Sequence, residues 1–92
     1  MTHFVTRLYS KEPGKDFWRL MNEIHSGSRF RNTQWPRTPD GMEIGAWHST
    51  AEAQMVVAKD IRDGWKLNGN LPPGTQFKIT QQPYNGEERT AA

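Results

Sequence analysis

The chain has 92 residues and no cysteine, and its twelve Lys/Arg against ten Asp/Glu give a formal charge of +2. That length makes one domain with a thin core, and the lack of cysteine excludes disulfides and thiolate metal sites and suits a reducing compartment. No apolar run approaches the roughly 20 residues of a membrane span. The start, Met1-Thr2-His3-Phe4-Val5-Thr6-Arg7, breaks its apolar residues too often for a signal peptide.

Residues 2–10 alternate and are rich in aromatic and β-branched side chains, which predicts a strand ended by Glu12-Pro13-Gly14. Phe17, Leu20, Met21 and Ile24 then recur at i, i+3, i+4 and i+7. This spacing predicts a helix over residues 16–25 with Gly27 as its stop. Residues 28–35 and 42–48 alternate again. Pro36 and Pro39-Asp40-Gly41 between them predict a hairpin with a long, proline-stiffened loop. Ser49-Thr50-Ala51-Glu52 has the form of a capping box, with Ser49 as the cap. The helix it opens carries Ala53, Val57, Ile61 and Trp65 at four-residue spacing and ends between Gly64 and Asn68-Gly69. Residues 75–81 predict a last strand. One domain therefore spans residues 1–82, and residues 83–92 read as a flexible tail.

The predicted fold class is α+β. The order strand, helix, strand, strand, helix, strand is the ferredoxin-like βαββαβ arrangement, an antiparallel sheet of about four strands with two helices on one face. A three-stranded sheet with a terminal segment unpaired is the rival.

Strand parity divides the side chains between two faces. Phe4, Leu8, Phe30, Met42, Ile44, Ala46, Phe77 and Ile79 form the apolar set expected under the helices. The other parity gives His3, Val5, Arg7, Tyr9, Arg29, Arg31, Thr33, Trp35, Glu43, Gly45, Trp47, Lys78 and Thr80, a face expected to be bare. Charge is uneven too: residues 1–40 hold seven Lys/Arg against four acids, and none of those acids lies between Glu23 and Asp40, where Arg29, Arg31 and Arg37 fall. Guanidinium groups grip phosphate with paired hydrogen bonds, and flat rings stack on unpaired bases. The predicted binding residues are therefore Arg7, Tyr9, Arg29, Arg31, Trp35, Arg37, Trp47 and Lys78. The same mixture of Trp, Tyr and Arg suits a protein interface.

Catalytic and metal signatures are weak. His3, His25 and His48 lack ligand spacing, and parity puts His3 and His48 on opposite faces. Ser26-Gly27-Ser28 beside His25 reads as a helix stop and strand entry, not as a nucleophile and base. The loop Ser10-Lys11-Glu12-Pro13-Gly14-Lys15 has no arginine for an acylphosphatase-like phosphate cradle. No enzyme, cofactor or metal is expected.

Phe4-Val5-Thr6-Arg7-Leu8-Tyr9, leading into Trp18-Arg19-Leu20-Met21 and the basic stretch Arg29-Phe30-Arg31, resembles phage-encoded anti-CRISPR proteins acting on type I-F systems. The resemblance covers the whole chain and carries no motif, so it transfers no functional residue. It implies a stoichiometric inhibitor in the host bacterial cytoplasm. The implied partner is the multisubunit CRISPR surveillance complex with its guide RNA, with no membrane and no small-molecule substrate. Such inhibitors prevent target DNA from pairing with the guide or being cut. Many are acidic mimics of DNA, whereas the basic, aromatic character here points to guide RNA or adjoining protein. The alternatives are a free-standing single-stranded nucleic-acid-binding domain and a small ferredoxin-like enzyme.

Overall fold

In the computed structural model, which describes residues 3–27 and 45–84, β1 (His3–Lys11) is the hub. It pairs antiparallel with β2 (Arg19–His25) on one side and with β4 (Gln76–Tyr84) on the other. The short β3 (Gly45–Trp47) adds to β2 in parallel, so the sheet runs β3-β2-β1-β4 and is mixed. One helix, α1 (Ala51–Asn68), packs chiefly over β1. The fold is α+β, as expected. The antiparallel-only sheet with two helices is not what the described residues form, and the predicted strand over residues 28–35 lies outside them.

The predicted helix over residues 16–25 is instead β2. A register shift in the β1–β2 ladder leaves Met21 as an extra residue between Asn22, opposite Leu8, and Leu20, opposite Tyr9. Such a bulge lets Met21 and Ile24, three apart, both turn toward the helix-covered face, and that spacing imitates a helical stripe. Met21 to His25 are all buried, and Glu23 to His25 are paired on both edges, by β1 and by β3. Alternation is lost in such a strand.

Thr50, not Ser49, caps α1: it is extended (φ −119°, ψ 153°), and its hydroxyl accepts from the Ala53 amide at 3.1 Å. That frame places Glu52 in the first turn and Lys66 in the last, each favourable to the helix dipole. The buried row is Gln54, Ala58 and Trp65, with Ile61 packed beside it: Ile61 and Trp65 are as predicted, while Gln54 and Ala58 replace Ala53 and Val57 one residue on. Leu8, Met21 and Trp65 form the core, sealed by Ile61, Leu71, Phe77 and Ile79.

Gly69 ends the helix at φ +70°, with nothing within 4 Å of an added Cβ. Gly69→Ala therefore tests the left-handed backbone alone. We expect a loss of about 1 kcal/mol, read as a fall in Tm of about 4–8 °C, with Gly69→Asn falling less. An unchanged Tm would place the helix end elsewhere.

Candidate nucleic-acid interface

On β1 the parity reading agrees with the observed faces. Thr6 donates to Gln54 of α1 and Leu8 joins the core, so even-numbered residues face the helix. His3, Val5, Arg7, Tyr9 and Lys11 face away. Directly paired residues share a face, which adds Glu23 and His25 from β2, Trp47 from β3, and Gln76, Lys78 and Thr80 from β4.

This face is not the uniformly bare surface expected. At its β2 side Val5, Glu23 and His25 are buried. Arg7 Nε donates to Glu23 Oε2 at 2.6 Å, and His25 Nε2 lies 3.1 Å from Oε1 of the same carboxylate. The guanidinium is thus already engaged, through Nε, with a buried carboxylate. Trp47 is half-buried, and its indole N–H donates to the Gly27 carbonyl at 2.9 Å, tying β3 to the end of β2. Arg29, Arg31, Trp35 and Arg37 lie outside the described residues.

Tyr9 and Lys78 are brought together, roughly 13 Å further along β1 from Val5 at about 3.3 Å per residue. They are directly paired, and Lys78 Nζ sits 5.2 Å from the Tyr9 ring centroid. The same ammonium is 4.4 Å from the ring of Trp18, and Lys11 Nζ approaches that ring at 5.9 Å. Trp18 immediately precedes β2. Continuing the ladder places it opposite Lys11, on the same face as Tyr9. Two flat rings and two ammonium groups converge here, in contacts attractive by about 0.5–1 kcal/mol each when exposed.

The turn between β1 and β2 extends this end of the molecule. A cleft of about 190 Å³ lies among Ser10, Glu12, Lys15, Phe17 and Arg19, and the Phe17 ring is 58 % exposed. Lys11, Lys15, Arg19 and Lys78 against Glu12 and Asp16 leave this end with a net +2. Trp18 and Phe17 were missed in the sequence because a helix over residues 16–25 turns them away from the sheet face, and Lys11 because the first strand was ended at Ser10. The signal that would have found them is Pro13-Gly14, a turn joining two paired strands.

Among the described residues no three His, Asp or Glu side chains converge as metal ligands, and no helix is long and apolar enough to cross a membrane. His25, read as lying at a helix end, is instead the last residue of β2 and is fully buried. No protein-family model, curated protein or solved structure matches the chain.

Proposed function

We propose that this chain is a non-catalytic binding protein that seats single-stranded nucleic acid on the Tyr9–Lys11–Trp18–Lys78 cluster. In the setting that the anti-CRISPR resemblance implies, that strand is the guide RNA of a type I-F surveillance complex in the host cytoplasm, and occupying it blocks pairing with target DNA. The observation that carries the reading is Lys78, whose ammonium touches two ring faces at once. A phosphate meets Lys78 and Lys11 while bases stack on the outward parts of Trp18 and Phe17, which is how sequence-tolerant single-strand binding is built. Arg7 and Trp47 act in this reading as scaffold for the sheet.

The test titrates labelled oligouridine and, separately, purified surveillance complex with the full-length chain. Stacking is worth about 1–3 kcal/mol per base, so Trp18→Ala weakens binding by about tenfold or more. Lys78→Glu does the same, and each phosphate neutralised adds about −0.7 to the log–log salt slope on naked RNA. Binding to the complex alone favours a docked inhibitor over a free-standing single-strand binder. Binding to neither, or variants that bind as tightly as the parent, defeats the reading.

A further inference from the structure

We propose that the outer edge of β4 is a self-association surface, on which a second copy of this chain lays its own β4 antiparallel to give a closed two-fold dimer. In an antiparallel ladder each residue turns its N–H and C=O the same way, and the direction alternates along the strand. Phe4 turns toward β2, since its amide donates to Ser26 Oγ at 2.7 Å and its carbonyl accepts from the Ser26 amide at 3.1 Å. Val5, Arg7 and Tyr9 therefore turn toward β4, and their partners Gln82, Thr80 and Lys78 turn back to meet them. This leaves Phe77, Ile79 and Gln81 with outward donors and acceptors, and among the described residues no strand lies on that side.

The open stretch is bounded. Pro83, next in the outward series, has no N–H to leave unpaired, and the Thr75 amide is already bonded to the Pro72 carbonyl at 3.2 Å.

Two features select a second copy as the occupant. Lys78 is the only charged residue between Gln76 and Tyr84. A two-fold axis at Ile79 or at Thr80 sets it opposite a threonine or a glutamine, so like charges do not meet. Beside the edge runs a groove of about 350 Å³ lined by Ala51, Glu52, Met55, Val56, Lys59 and Gln81, in which Val56 is 59 % exposed. Along α1 its charges read acid, two apolar residues, base, arranged symmetrically about Met55 and Val56. Helices related by the two-fold axis run antiparallel. Glu52 of each copy then faces Lys59 of the other, with the apolar pairs meeting between them.

The distances allow it. Helices seated over β1 stand three strand spacings apart across the seam, roughly 14 Å. Two helices with their side chains span about 10–12 Å, and extended Glu, Met and Lys bridge the difference. A two-fold pairing uses the β4 edge of both copies, so the assembly closes at two.

Sedimentation equilibrium of the full chain from micromolar to millimolar concentration reads the outcome as a mass rising from 10.6 kDa toward twice that value. Glu52 and Lys59 are exposed, so reversing either leaves the monomer fold intact, which far-UV CD checks. Glu52→Lys or Lys59→Glu alone turns two attractive pairs into repulsive ones and weakens association about tenfold. The double reversal restores it. A chain that stays monomeric at millimolar concentration, single reversals that leave the curve unmoved, or a double reversal no better than either single one overturns the proposal.

Discussion

Glu23→Ala lowers the unfolding free energy by about 3 kcal/mol, read as a fall in urea midpoint at constant m-value. Glu23 is 4 % exposed and accepts from Arg7 at 2.6 Å while lying 3.1 Å from His25 Nε2. Removing the carboxylate takes a bonded anion from a guanidinium whose side chain is only 18 % exposed. That partial exposure holds the loss at the lower end of what a broken buried pair costs, about 3–5 kcal/mol. Glu23→Gln keeps an oxygen for the Arg7 donor and loses less, about 1–2 kcal/mol. The paired change Arg7→Met with Glu23→Leu, which removes both members of the pair together, recovers part of the loss. A Glu23→Ala loss below about 1 kcal/mol would mean that the pair is solvated and of the ordinary surface kind.

Gln54→Ala comes next, with an expected loss of about 3 kcal/mol by the same measurement. Gln54 is fully buried, and its amide is the polar joint between α1 and the sheet. Its Oε1 accepts from Thr6 Oγ1 at 2.6 Å, and its Nε2 donates to the carbonyls of Phe4 at 3.3 Å and His48 at 3.1 Å. Gln81 extends the network, donating to Thr6 Oγ1 and to the Ala51 carbonyl, each at 2.8 Å. Truncation takes the acceptor from the Thr6 hydroxyl and one donor each from the Phe4 and His48 carbonyls and opens a cavity, and both terms have the same sign. Gln54→Met fills most of the volume but still strands the partners, so it separates the terms. Its loss should fall between that of alanine and the parent. A methionine variant as stable as the parent would show that packing, not the hydrogen-bonded network, fixes the helix here.

Local and periodic features were legible in the sequence. The alternation of residues 2–10 and 75–81 gave β1 and the body of β4, with Leu8, Phe77 and Ile79 on the core side and Tyr9 and Lys78 on the other. The helix over 51–68 was readable because capping residues act within a few positions of themselves, while its end, left open between Gly64 and Asn68-Gly69, fell at Gly69. The exact cap was not: serine and threonine cap almost equally well, and tertiary packing chose Thr50.

What only the tertiary structure decided lies where long-range pairing outweighed local pattern. Residues 19–25 carry a helical spacing, yet pairing with β1 and β3 makes them a buried strand whose bulge absorbs the extra residue. That one reversal sets β3 parallel beside β2 and brings Trp18 to the sheet face. Arg7 and Glu23, sixteen residues apart, became a buried pair for the same reason. Gln54, a polar residue that no hydrophobic count places inside, is buried with its amide satisfied by Phe4 and Thr6 of β1 and by the His48 carbonyl just ahead of the helix. The chain alone therefore determined which side chains a strand or helix would put on one face. Which faces would be covered was settled by contacts between segments far apart in sequence, since burial depends on what arrives from elsewhere.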